Sequence, residues 1–367
     1  MLKYIHNSLG LASIYVVFDG SSFNEKHKGS SHLMEHIVCK NYDPMLSELT
    51  ANNIEANAGT ADNEVKFYFR GLQESLDKFA ETLIEKIMAG MLCTKEQFEN
   101  EKKTVIEEYK DVFNNQSKGH YYNLRRQLLN DFGPIGTFSD IEKFDYELCQ
   151  EVIKERFMIP SRIVLVGESE AFSKIETKFA DYKFADPIDF SRELKVDNYH
   201  VPVEVVNKDQ KTSVLGMSKR VISKEKLLEV LFLIEMLNDG LEAPLFKAIR
   251  EDRGLSYFSW LFTIDIGLSS VVMFGACTAN ENANELVSVY KDFFDKVEEK
   301  VTKERFNIVK QKQILQVKEN RILKYCHCTR ELTNARDGYT LEQIEALLYE
   351  DVIKQIGFLK EWQISTY

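Results

Sequence analysis

The run Thr94-Lys-Glu-Gln-Phe98 returns in the second half of the chain as Thr302-Lys-Glu-Arg-Phe306, each copy preceded by a strand, a turn and an amphipathic helix of similar length. Self-similarity in a fixed order is the mark of a repeated architecture. The same alignment lays His32-Leu-Met-Glu-His36 over Phe232-Leu-Ile-Glu-Met236 and Glu108 over Gln316, so the two histidines become Phe and Met and the distant glutamate becomes a neutral glutamine. A chain of 367 residues exceeds one ordinary core and suits two domains. The expected division is 1–185, a linker over 186–202 marked by Pro187, Pro202 and dense charge, and 203–367.

Each half reads as α+β. Ala12 to Phe18 is β-branched and aromatic and stops at Asp19-Gly20, as a strand entering a turn does. Glu64 to Phe69 and Ile163 to Gly167 are further strands. From Ser30-Ser31 onward, Leu33, Met34, Ile37 and Val38 recur at helical spacing, with serine available as the cap. Leu76 to Ala89 carries Phe79, Leu83, Ile84 and Ile87 on one helical face, and Thr94 caps a long charged helix reaching Phe113.

With 44% hydrophobic and 29% charged residues the chain is expected to pack well and to hold no long disordered stretch. A net charge of −11, with no basic cluster, disfavours a nucleic-acid role, and no nucleic-acid partner is expected. Leu9 to Phe18 is too short to span a membrane and has no basic leader. Six scattered cysteines do not form a secreted disulfide framework. No membrane association and a reducing, cytoplasmic setting are expected.

Residues four apart on a helix lie one turn above each other, so His32 and His36 can offer two imidazoles to one tetrahedral zinc ion. Glu35, beside them, can take a proton from water without being a ligand. A catalytic zinc needs a third protein donor, and Glu108 suits it, because two neutral imidazoles leave the ion's charge uncompensated. Glu101, seven residues earlier on the same helical face, can orient a ligand histidine as an outer acceptor. Glu99 and Glu107 read as solvated surface.

At this point the sequence resembles the pitrilysin/insulinase family of zinc peptidases, whose inverted motif His-x-x-Glu-His is followed by a distant glutamate. The resemblance covers nearly the whole chain. Gly20-Ser21, Glu25 and Gly29 look like the family's approach to the first histidine. Asn57-Ala58-Gly59-Thr60 is similar to its Asn-Ala-x-Thr strand, which implies that Asn57, Ala58 and Thr60 border the cleft and bind an extended peptide. Leu245 to Tyr257 resembles the signature of the domain without zinc, implying that Arg250 and Tyr257 stabilise charge on the scissile carbonyl.

The resemblance implies two similar domains, each a mainly antiparallel sheet covered by helices, one Zn2+ per chain, and endopeptidase activity on peptides or unfolded segments. The chain has the size of the two-domain form typified by the processing peptidase, whose chains pair around a chamber. A homodimer is the simplest expectation; the alternatives are one subunit of a heterodimer or a catalytically silent scaffold. The segment between His36 and Glu108 is somewhat shorter than usual in the family.

Some features are set aside. Cys326-His327-Cys328 has no second Cys/His pair at zinc spacing, His6, His27, His120 and His200 read as surface or capping residues, and Tyr121 to Leu129 as helix core plus solvated charge.

Overall fold

The computed structural model describes residues 1–6, 8, 10–22, 25–129, 132–186, 211–266, 269–324 and 339–366. The described residues form two compact units. The first holds 1–109, 132–186 and 319–324. The second holds 110–129, 211–318 and 339–366. The expected linker, apart from Asp186, lies outside the described residues, as do His200 and Cys326 to Cys328.

The first unit contains strands β1 (Leu2–His6), β2 (Leu11–Asp19), β3 (Glu55–Thr60), β4 (Glu64–Leu72) and β5 (Arg162–Gly167), in the sheet order β1-β5-β2-β4-β3. The second contains β6 (Lys211–Ser218), β7 (Ser259–Ile266), β8 (Ser269–Ala279) and β9 (Trp362–Thr366), in the order β7-β8-β6-β9. With β1 left out, the first order becomes β5-β2-β4-β3, the same arrangement as β9-β6-β8-β7. All pairings are antiparallel except β1 with β5. The α+β architecture and the duplication anticipated from sequence are thus present.

Side chains repeat as well as strands. Thr94 caps the helix Lys95–Asn114 by accepting from the Gln97 amide at 3.2 Å, and Thr302 caps Lys303–Lys324 through the Arg305 amide at 3.1 Å. Lys102 Nζ donates to the Glu142 and Phe144 carbonyls, Lys310 Nζ to those of Glu345 and Leu347. Tyr146 reaches the Cys93 carbonyl at 2.9 Å and Tyr349 the Val301 carbonyl at 2.7 Å. The threonines satisfy amides at the helix starts and the lysines and tyrosines satisfy carbonyls at helix ends or in loops, so both copies hold their helices in the same way.

β2 and β5 are buried along their length. Tyr15, Val17, Val164 and Val166 pack on one face of the sheet. Alternate residues project to the opposite face, where Phe18 meets Phe67 and Phe157. At the end of β2, buried Arg162 bridges Asp19 and Glu64, at 2.5 Å to each, and ties together three strands.

Three sequence expectations need correction. The helix expected over Leu76 to Ala89 is two pieces, Gln73–Leu76 and Ala80–Met88, with the Phe79 amide bonding back to Leu76 between them. His120 is buried, only 3% exposed, with its pKa pushed down to about 3 by burial. Arg125 and Arg126 are buried too: Arg125 lies over the Tyr121 ring and donates to its hydroxyl at 2.9 Å, and Arg126 covers Phe113. Aromatic faces take the place of water around these guanidiniums.

Candidate metal centre

The helix Ser30–Cys39 presents Leu33, Met34, Ile37 and Val38, all fully buried, to the core and leaves His32, Glu35 and His36 on a partly open side. Its N-terminus is not capped by serine. The buried Glu25 carboxylate accepts from the Gly29 amide at 2.6 Å, the Ser31 amide at 2.9 Å and the Ser30 hydroxyl at 3.1 Å. One carboxylate thereby satisfies two orphan amides and places negative charge at the positive end of the helix dipole. Gly29 adopts a φ of 88° and lies against Gly136, where a Cβ would fall 2.3 Å from the Gly29 nitrogen. No larger residue fits there, and the contact fixes where the helix begins.

The imidazoles of His32 and His36 stand with ring centroids 5.0 Å apart. Glu108, from the helix Lys95–Asn114, brings Oε2 to 3.3 Å from His32 Nε2 and 3.7 Å from His36 Nε2. One donor atom from each of the three residues lies within 4.8 Å of the others. Donors at zinc bond lengths of about 2.0–2.1 Å in a tetrahedron are about 3.3 Å apart, so the spacing and the donor set fit such an ion. The hydrogen bond from His32 holds the Glu108 carboxyl below its usual range, against the opposing effect of burial.

Glu101 lies two turns from Glu108 on that helix, with Oε2 3.3 Å from His36 Nδ1. Among the described residues, the buried His32 Nδ1 has no hydrogen-bond partner. Thr60, at the end of β3, donates to Glu35 Oε2 at 2.6 Å. Asn57 and Ala58 lie on the same edge strand, and the Asn57 side chain accepts from the Ala58 amide at 2.8 Å.

In the second unit, Arg250 sits between two aromatic faces, 4.9 Å from the Phe246 centroid and 4.2 Å from that of Tyr257. Tyr257 is 79% exposed. Arg250 belongs to one wide turn of π-helix, Lys247–Glu251, a form common at functional positions. Beyond it Gly254, at φ 61°, ends the segment by bonding to the Arg250 carbonyl.

Sequence reasoning thus named the residues that converge but missed how they are held. The Glu25 carboxylate cap and the hydrogen bond from Thr60 to Glu35 follow from loop geometry and strand placement, which no spacing rule encodes. Lys40 beside Glu101, 2.9 Å from Oε1, was missed as well.

Comparison with known proteins agrees with this architecture. Residues 5–132 match the model for insulinase (peptidase family M16), and residues 161–313 match that for the peptidase M16 inactive domain. A protease from Helicobacter pylori is similar at 16% identity with a TM-score of 0.79, over 100% of this chain and 96% of that one. The M16 inactive domain of Pseudomonas fluorescens, at 12% identity and a TM-score of 0.77, covers 100% and 95%. A putative M16-like peptidase from Alicyclobacillus acidocaldarius, at 14% and 0.75, also covers 100% and 95%. No curated protein sequence matches the chain. The chain belongs to the insulinase, or pitrilysin-type, family of peptidases and has its two-domain fold. No helix among the described residues is long and apolar enough to cross a membrane.

Proposed function

We propose that the chain is a zinc-dependent endopeptidase acting on peptides or unfolded segments, with His32, His36 and Glu108 holding the ion and Glu35 as the catalytic base. The observation that carries this reading is the convergence of three suitable donors within 4.8 Å beside a carboxylate that is not one of them. Zinc, when bound, supplies Lewis-acid polarisation of a carbonyl and acidifies water. Glu35, held by Thr60, takes the proton of the attacking water and passes it to the leaving amine. Glu101 fixes the tautomer of His36 by accepting from Nδ1 and leaves Nε2 for the ion. The free side of β3 at Asn57 and Ala58 offers backbone groups to an extended peptide.

Pairing of two chains around a chamber belongs to the same proposal. Arg250 and Tyr257 of the second chain would donate to the carbonyl oxygen as it gains charge. A homodimer is simplest, and a homologous second subunit is the variant. A silent scaffold is the competing reading, favoured by the likeness to an M16 inactive domain; the matching model, however, falls on residues 161–313, away from the donors.

Zinc per chain and cleavage of a quenched peptide library decide between them. We expect one zinc in the wild type, loss of metal in Glu108→Gln, and retained metal with activity reduced by about 10²–10⁴-fold in Glu35→Gln. Stoichiometric zinc with no cleavage of any peptide would establish the scaffold. Mixing Glu35→Gln chains with Arg250→Ala chains is expected to restore activity if the site is shared, and inactivity of a verified mixed dimer overturns the sharing.

A further inference from the structure

Lys40 closes the helix that carries both histidines: its amide bonds back to Ile37 and Val38. A lysine at this position commonly needs no more explanation than the helix dipole and the last carbonyls of its own helix. Its side chain does something else. Nζ lies 2.9 Å from Glu101 Oε1 and 2.7 Å from Asp43 Oδ2, while the other Glu101 oxygen faces His36 Nδ1.

We propose that Lys40 is a positioning residue for the metal centre, acting through Glu101. The proposal rests on the zinc reading above. A carboxylate with one partner can turn about its terminal bond and offer either oxygen. Glu101 has a partner on each oxygen, and that fixes its plane against His36. Lys40 and Glu101 side chains are 23% and 16% exposed, so this pair is sheltered, unlike the solvated ion pairs that contribute little.

The consequence reaches the third donor. Glu101 and Glu108 share one face of one helix, so a cation on the histidine helix that grips Glu101 also sets the rotation and height of Glu108. Asp43, on the short turn after the helix, keeps the ammonium from swinging into solvent. Lys40 thus joins the two helices that supply all three donors, at the end of the site opposite the Glu25 cap.

Zinc dissociation constants from chelator competition test this, in wild type, Lys40→Met, Glu101→Gln, the double variant and Lys40→Arg, each checked for fold by circular dichroism. Outer partners of a metal ligand commonly contribute 10–100-fold in affinity. Lys40→Met and Glu101→Gln are each expected to weaken binding by about that factor, the double variant no more than Glu101→Gln alone, and Lys40→Arg is expected to restore affinity to within a few-fold. Wild-type affinity in Lys40→Met, or losses that multiply in the double variant, overturns the role. Should the Met variant fail to fold, Lys40→Gln takes its place in the cycle. Binding lost in Glu108→Gln but kept in Lys40→Met sinks the Lys40 inference alone; equal affinity in wild type and Glu108→Gln removes the zinc reading and this inference with it.

Discussion

The helix Ser30–Cys39 and its counterpart Leu227–Asn238 occupy equivalent places in two copies of one architecture, yet they are finished in opposite ways. The first buries one face and turns His32, Glu35 and His36 to the other. The second buries Leu227, Val230, Phe232, Leu233, Ile234, Met236 and Leu237, nearly all round, as a helix sealed inside a core does. The neighbouring long helix follows suit. In the first copy it contributes Glu101 and Glu108 to two imidazoles. In the second it sends Arg305 to the Met236 carbonyl at 3.0 Å and to the Asp239 carbonyl, and Lys312 to the Asp239 carboxylate. The same junction gathers three candidate metal donors in one half and is closed by Arg305 and Lys312 in the other.

The glutamates at equivalent positions, Glu35 and Glu235, should respond to substitution in opposite ways. Glu35→Gln is expected to remove about 10²–10⁴-fold of peptidase activity, whereas Glu235→Gln leaves activity intact. Burial, then Asp239, raises the pKa of Glu235. A carboxyl whose folded pKa lies above its unfolded one is destabilising where ionised, so Glu235→Gln should match or exceed wild-type stability at pH 7. Loss of activity in Glu235→Gln would mean that the halves are not functionally distinct.

Next in size is Gly136→Ala. Its Cβ meets the Gly29 nitrogen at 2.3 Å, and urea unfolding should show a loss of several kcal/mol, about 2–4, together with weaker zinc binding. A nearly neutral result would show that the start of the histidine helix is not fixed by this contact. Arg305→Met should cost about 1.5–3 kcal/mol, the scale of a charged hydrogen bond, and leave zinc affinity unchanged. A change in zinc affinity would couple the two junctions.

The smallest effect expected is from His120. Its folded pKa of about 3 lies below the ordinary value of 6.5, so only the unfolded chain takes up a proton at mildly acidic pH. Its contribution is complete above pH 6.5 and falls as pH drops towards 3. Between pH 7 and pH 5 the wild type should lose about 2 kcal/mol more than His120→Gln, measured by urea unfolding in the presence of chelator. Parallel losses in both proteins would locate the acid sensitivity elsewhere.

Much of this molecule is legible in its sequence, because periodicity and repetition are local. The Thr94 and Thr302 caps, strands β2, β4 and β5, and the buried face of the histidine helix all follow from short-range patterns. The candidate donors were legible because a helix converts a spacing of four into a shared face, and because two neutral imidazoles call for a carboxylate, which the long charged helix offers at Glu108. What stayed hidden depends on chain segments meeting across the fold. Thr60 reaches Glu35 only because β3 packs beside that helix, and Lys40 meets Glu101 only because two helices align. Arg125 and Arg126 read as solvated charge because their composition conceals that aromatic rings cover them.

An unpaired sheet edge is a template on which identical chains can stack into fibrils. β3 reads Glu-Ala-Asn-Ala-Gly-Thr, short and poor in the β-branched and aromatic residues such stacking favours, and Asn57 folds its own amide oxygen onto the Ala58 backbone. An arriving strand must first displace that internal bond. The chain can therefore keep an edge exposed beside its histidines and still resist polymerising along it.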